Sequence, residues 1–215
     1  MYTLEKVTNV INQYVKIESI KLIGSGNHSE AFLINNEIVV KMPKHKKASA
    51  CLQTEIQVLN GLQSKLNLDI PNVLFTGIFE HEGQTFVFSA SKKVKGSKLT
   101  REQFITLPQK LLDKNAQIIA EFLYSLHQQK QILPIKRKDL YLLHGDFSLN
   151  HVLFDQNNIA CSVLDFGDAR VGKPMSDFIY LLDAEDDEEF GFEFGNNVLS
   201  RYNKLAKENT NAHNI

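Results

Sequence analysis

The residues able to do chemistry concentrate between positions 144 and 170. They read His144-Gly-Asp-Phe-Ser-Leu-Asn-His-Val-Leu-Phe-Asp155, then Val163-Leu-Asp-Phe-Gly-Asp-Ala-Arg170. Two apolar runs, 152–154 and 160–164, flank the turn-forming Asp155-Gln-Asn-Asn158. A hairpin built from them would bring Asp146 and Asp165 to one end of a small sheet. Phosphoryl transfer needs such an arrangement, with one carboxylate orienting an attacking hydroxyl and others holding magnesium against phosphates. Asp-Phe-Gly alone is a weak signal. Here His-x-Asp precedes it at hairpin distance, and a Gly-rich turn, a Lys and a helical Glu lie upstream in the expected order. The plainer reading makes Asp146 and Asp165 turn residues and Gly167 loop punctuation; the composite order weighs against it.

The elements that must position these groups begin with a helix. Leu4, Val7, Val10, Ile11 and Tyr14 fall at helical spacing behind Thr3, a candidate cap. Residues 20–23, 31–34 and 37–42 read as short strands, the last two joined by an Asn35-Asn36 turn able to adopt positive φ. Between the first two lies Gly24-Ser-Gly-Asn-His-Ser-Glu30. Gly24 and Gly26 would let backbone amides approach phosphate oxygens, and Ser25 and Ser29 could add hydroxyl donors. A Gly-x-Gly hairpin is also often a plain turn, and this one lacks the third glycine of the protein-kinase loop. Lys41 ends an apolar strand, where an ammonium can reach nucleotide phosphates; a snorkelling edge lysine is the alternative. Glu55 lies on a helix expected over 47–66 and is the candidate partner of Lys41, against a merely solvated position. The basic run Lys44-His-Lys-Lys47 reads as a solvated loop, because no aromatic residues interleave it.

Residues 73–79 and 85–88 alternate as two further strands around Glu80-His-Glu-Gly83. From Ser89 to Gly96 periodicity fades, so 91–98 is expected to be a hinge between an N-terminal lobe, 1–90, and a C-terminal lobe, 99–215. A purine would hydrogen-bond to the hinge backbone, with Ser91 and Lys93 as candidate contacts. From Leu99 the pattern turns helical. Leu111, Leu112, Asn115, Ile118, Ile119, Phe122, Leu123 and Leu126 share one face, and His127, at its end, reads as a satisfied structural histidine.

Composition narrows the function classes. Apolar residues make up 43% and the net charge is −1, which supplies a core and no global attraction for nucleic acid. No apolar run approaches the roughly 20 residues of a membrane span, and the N-terminus lacks a signal-peptide core. Cys51 and Cys161 are few and distant, so a reducing cytoplasm is the expected setting. The polar stretch 207–215 reads as a frayed tail.

On these residues the sequence resembles the aminoglycoside phosphotransferase family, relatives of protein and choline kinases, and most of all the aminoglycoside 2″-phosphotransferases. The resemblance rests on His144 to Asp155 and on Leu164-Asp-Phe-Gly-Asp168. Met42-Pro-Lys-His-Lys-Lys-Ala48, Pro174-Met-Ser-Asp-Phe178 and Asp186-Asp-Glu-Glu-Phe-Gly191 add to it. It covers about residues 20–205 and implies an α+β, bilobal protein-kinase-like fold, with a five-stranded antiparallel N-lobe and a mainly helical C-lobe. It further implies Asp146 as catalytic base, Asp165 as principal Mg2+ ligand, and Lys41 with Glu55 as the phosphate-binding pair for ATP or GTP. Asp177, and His144 beside the catalytic loop, would be structural supports. Protein kinases carry a metal-binding Asn five residues after the catalytic Asp. Here that place is His151, as in the 2″-phosphotransferases, with Asn150 one residue early as the alternative ligand.

The acidic run Asp183, Glu185, Asp186, Asp187, Glu188 and Glu189 lies where that family builds its acceptor site, and Asp183, Glu185, Asp186, Glu188 and Glu189 could pair with a polycationic aminoglycoside. A solvated acidic helix start is the other reading. Only 38 residues follow Asp177, fewer than the family normally has. An apolar face left by that shortness would favour a homodimer. The implied activity is transfer of the γ-phosphate to a hydroxyl of a small cationic acceptor, with antibiotic resistance as its biology. The alternatives are a nucleotide-binding module without turnover and a kinase for a choline- or sugar-type acceptor. A protein kinase ranks last, because Phe-Ser-Leu follows Asp146 and no Ala-Pro-Glu follows Asp-Phe-Gly. Imidazole must be neutral to coordinate a cation. If His151 is a ligand, activity should fall on acidification between roughly pH 8 and 5.5; a flat rate profile there would remove His151 from the metal.

Overall fold

Alternating apolar residues over 29–43 and 72–92 build a five-stranded antiparallel sheet in the order β1-β2-β3-β5-β4. The strands are β1 (Ile20–Ser25), β2 (Ser29–Ile34), β3 (Ile38–Pro43), β4 (Asn72–His81) and β5 (Gln84–Lys92). The computed structural model describes residues 1–183 and 190–212. Its chain divides into two units. The first is Met1–Asn60 with Pro71–Lys93, and the second is Gly61–Ile70 with Val94–Ile215.

In the first unit, Asn35 and Asn36 close the β2–β3 hairpin at φ 50° and 58°, and Glu82 and Gly83 close β4–β5 at 51° and 70°. These tight turns fix the register that pairs Ala31 with Lys41 and Lys41 with Ser89. One sheet face carries Phe32, Ile34, Val40, Met42, Phe79, Phe86, Phe88 and Ala90. Helix α1 (Leu4–Ile11) supplies Val7 and Ile11 to this core. Thr3 caps α1 as expected, accepting from the Lys6 amide. Lys41 lies out of step with Val40 and Met42, so it belongs to the other face, where α2 (Lys46–Leu62) supplies Glu55. The helix ends earlier than the expected residue 66, and Ser64 adopts φ 61° in the turn that follows. Ser89–Lys92, read from the sequence as aperiodic, continue β5, which is paired on both sides.

The second unit is organised by α4 (Gln109–His127), preceded by α3 (Arg101–Ile105) with a Thr100–Gln103 capping box. The buried face of α4 includes Ala116, Ile119, Phe122, Leu123 and Leu126, and α5 (Phe192–Ala212) packs beside it. Four short strands follow α4: β6 (Tyr141–Leu143), β7 (Val152–Phe154), β8 (Ala160–Val163) and β9 (Arg170–Gly172). β7 and β8 form the expected hairpin, and β6 pairs with β9. Asp155 shapes the hairpin turn by accepting from the Asn157 and Ile159 amides at 2.8 and 2.9 Å. Asn115, on the apolar face of α4, is fully buried because it tethers that turn. Its amide donates to the Asn158 carbonyl, and its oxygen accepts from the Ala160 amide. Aromatic rings fill the core, with Phe104 within 6 Å of Phe154, Phe190 and Phe194. Among the described residues no helix is long and apolar enough to cross a membrane.

Phe88 sits fully buried in the first core, near the rings of Tyr14, Phe75 and Phe79. Phe88→Ala should lower the unfolding free energy by about 3–5 kcal/mol in urea denaturation. A loss under about 1 kcal/mol would mean that this core collapses around the gap.

Candidate active site

The first unit contributes an ion pair and a turn. Lys41 Nζ donates to both Glu55 oxygens at 2.8 and 3.0 Å, and Glu55 is almost fully buried. The pair fixes the ammonium's direction, since a buried carboxylate needs a cation and a strand backbone holds the lysine stem. In the turn, the Gly26 amide and the Ser25 hydroxyl already have partners within the chain. Gly26 N–H donates to the Ser29 carbonyl, so that amide is already committed. Ser25 Oγ lies 2.9 Å from Lys44 Nζ and 3.4 Å from the buried Glu30 carboxylate, which commits the hydroxyl too. Lys44, from the run read as a solvated loop, also donates to the Gly26 carbonyl at 2.6 Å. A Cβ at Gly26 would meet nothing within 4 Å, and one at Gly24 only Ala31 Cβ at 3.9 Å, so packing within the chain requires neither glycine. Ser29 opens β2 half-buried, Ser91 is buried in β5, and the Lys93 amide donates to the Glu37 carbonyl.

The second unit brings Asp146, His151 and Asp165 together. His151 Nε2 lies 3.8 Å from Asp165 Oδ2, and its Nδ1 lies 3.9 Å from Asp146 Oδ2. Nδ1 is also 2.7 Å from the Asp146 carbonyl, which can only accept, so Nδ1 carries the proton. When the ring carries that one proton, Nε2 presents a lone pair on the side of Asp165. This is the tautomer a cation requires, set by a bond to the second ring nitrogen. His151 closes a 3₁₀ turn, Leu149–His151, in which Asn150 is exposed. Asp165 occupies the left-handed region at φ 64°, ψ 67°, which swings its carboxylate off the end of β8. Each carboxylate is followed by a buried phenylalanine, Phe147 and Phe166, that anchors its loop in the core.

Beneath these groups lies a buried polar layer. Asp177 Oδ2 and Oδ1 accept from the His144 and Gly145 amides, each at 2.8 Å, and so hold the two peptides preceding Asp146. His127 Nε2 donates to the same carboxylate at 3.0 Å. Burial alone would raise the Asp177 carboxyl; the His127 contacts and the Gly145 amide outweigh it and leave the group below the ordinary aspartate value. His144 spans the two loops. Its Nε2 donates to the Leu164 carbonyl at 2.9 Å, and its Nδ1 faces the Asp146 amide at 3.4 Å. Burial lowers its pKa, with Asp177 and the Leu164 carbonyl pulling the other way. Gly145 has φ 91°, and a Cβ there would meet the Asp168 carbonyl oxygen at 2.0 Å, so the loops approach through a glycine. Arg170 joins them again, donating to the Gly145 carbonyl at 2.7 Å. Arg170 carries no mark of this role in the sequence, because its three-residue strand is too short to show a period.

The donors suit a divalent cation as part of a set. One carboxylate and one imidazole lone pair converge, and among the described residues no cluster of three or more His, Cys, Asp or Glu could hold a metal. Magnesium commonly takes one or two protein ligands and completes its shell with phosphate oxygens and water. Of the acidic candidates for an acceptor, Asp183 is half-buried, and Glu185, Asp186, Glu188 and Glu189 lie outside the described residues.

Residues 129–211 match the model of a family described as "Phosphotransferase enzyme family". The streptomycin–ATP–APH(2″)-IIa ternary complex is similar in structure, with a TM-score of 0.79 and 27% identity over 97% of this chain and 85% of that one. The gentamicin–APH(2″)-IIa complex gives 0.81 and 27%, over 97% and 84%. The ADP-bound aminoglycoside phosphotransferase APH(2″)-Ib gives 0.77 and 27%, over 96% and 84%. The expected kinase-like α+β fold with a five-stranded antiparallel sheet is therefore the fold of this chain.

The buried layer sets an acid limit on stability. His144 titrates below its unfolded value near 6.5, so its contribution is present above about pH 6.5 and is lost as acid forces the buried ring to charge. Asp177 titrates below its unfolded value near 3.9, so its contribution is present above about pH 4 and is lost below it. Urea unfolding at roughly pH 7.5, 5.5 and 3.5 should show stability falling at both steps. Equal stability at the two higher values would contradict a neutral, buried His144.

Proposed function

We propose that this chain, which carries a match to the phosphotransferase enzyme family over residues 129–211, transfers the γ-phosphate of a nucleoside triphosphate to a hydroxyl of an aminoglycoside. The observation that carries the reading is the placement of the Asp146 and Asp165 carboxylates within 4 Å of one imidazole whose tautomer the chain itself fixes. The donor and acceptor classes follow the similar structures, which are a ternary complex with streptomycin and ATP, a gentamicin complex and an ADP-bound form.

In this reading Asp146 accepts a hydrogen bond from the acceptor hydroxyl. The hydroxyl oxygen forms the new bond to γ-phosphorus as the bond to the β,γ-bridging oxygen breaks. The nucleoside diphosphate leaves, and the hydroxyl proton passes to Asp146 late, so an ordinary carboxylate suffices. The Asp146 side chain is 38% exposed, open enough to meet a hydroxyl while its backbone stays pinned. Lys41, directed by Glu55, binds phosphate oxygens. Asp165 and His151 Nε2 would hold magnesium, which when bound neutralises charge on the β- and γ-phosphates. Asp183 with the neighbouring acidic residues would pair with ammonium groups of the acceptor. A cytoplasmic setting fits the unpaired cysteines, Cys51 and Cys161.

The test is nucleotide consumption with magnesium, using ATP and GTP separately, with and without kanamycin and gentamicin. Acceptor-dependent turnover is expected, and Asp146→Asn should cut kcat by about 10²–10⁴-fold with little change in nucleotide KM. Nucleotide binding with no turnover on any acceptor would replace this reading with a regulatory nucleotide-binding module.

A further inference from the structure

Tyr202 lies on α5, in a part of the chain to which the catalytic reading assigns nothing. Its ring packs against Tyr124, Phe178 and His127 at centroid distances of 5.2 to 5.9 Å. A phenylalanine would satisfy that packing. The hydroxyl does something else: it lies 2.8 Å from His127 Nδ1. The carboxylate on the other side can only accept, so His127 Nε2 carries a proton, and Nδ1 is left to pair with the Tyr202 hydroxyl. Burial, with Tyr141, Tyr124 and Asp177 nearby, pushes the phenol up and keeps it protonated at neutral pH. Tyr202 is 8% exposed, Asp177 1% and His127 0%, so water has little access to substitute for a missing member.

We propose that Tyr202 is a positioning residue for phosphoryl transfer: its hydroxyl, acting through His127 and Asp177, fixes the His144–Gly145 backbone from which Asp146 projects. The chain of contacts is continuous. Tyr202 orients His127, His127 orients the Asp177 carboxylate, and that carboxylate holds the two amides immediately before Asp146. It links helix α5 to the reacting loop across more than fifty residues of sequence. Without the hydroxyl, Nδ1 is left unpaired in a dry site, so the imidazole can turn and the carboxylate loses its third donor. The effect falls on orientation of the base, hence on the transition state, and not on nucleotide binding. The proposal rests on the phosphotransferase reading for its kinetic arm only.

The experiment compares wild type with Tyr202→Phe in two measurements. Kinetically, kcat should fall about tenfold with nucleotide KM within about twofold of wild type. By hydrogen exchange, the His144 and Gly145 amides should exchange about tenfold faster, while Val152 and Val163 in the β7–β8 hairpin keep their rates. Tyr202→Leu serves as the packing control. It should lower thermal stability further, whereas a purely structural tyrosine would leave Tyr202→Phe with wild-type kcat. A kcat within twofold of wild type, or unchanged exchange at His144 and Gly145, overturns the proposal. If the wild type turns over no acceptor, the exchange arm decides for or against the relay by itself, and the missing turnover counts against the phosphotransferase reading alone.

Discussion

The Asp177 carboxylate is the fixed point of this site. A buried charge is tolerable only when its lone pairs are filled, and here two backbone amides and one imidazole fill them. That requirement turns a desolvation penalty into geometry. The amides of His144 and Gly145 must face one spot, which leaves Asp146 a single direction in which to project. His144 then carries the constraint across to Leu164 and so to Asp165. The Asp146 and Asp165 carboxylates stay half-exposed while the backbone carrying them is held from below.

Much of this was legible in the sequence because it is local. The β7–β8 hairpin announces itself through apolar runs around an Asx turn, and Asn35-Asn36 and Thr3 act as their chemistry dictates. The strand lysine and the helical glutamate could be named as partners because their order matches a known pattern, and the structure places them 2.8 Å apart. Less legible were features that tertiary pairing decides. Ser89–Lys92 are small or polar, yet they continue a strand because β3 and β4 flank it. β6 and β9 are three residues each, below the length at which a period of two is visible. The partnership of Tyr202 with His127 spans 75 positions and leaves no local mark at all. The sequence marks His127 as a satisfied histidine; only the fold says by what.

The Gly24–Ser29 turn shows a different kind of gap. Glycine spacing suggests free amides, whereas the hydrogen bonds of Gly26 and Ser25 are spent within the chain. A glycine pattern states where a backbone may go, and it does not state which donors remain. Lys44, judged from composition to be a solvated loop residue, proves to be the side chain that secures this turn.

Under the proposed function, position 165 meets two independent demands. Its backbone lies in the left-handed region, where glycine, asparagine and aspartate are comfortable and most other residues are not. In the proposed role its side chain would also have to offer a hard anionic oxygen, which aspartate and glutamate can supply. The two lists share one member. Substitution can therefore explore one property at a time but not both, and the tolerance of this site to mutational drift narrows to a single amino acid. Asparagine at 165 would be the natural way to silence the charge while leaving the path of the chain intact.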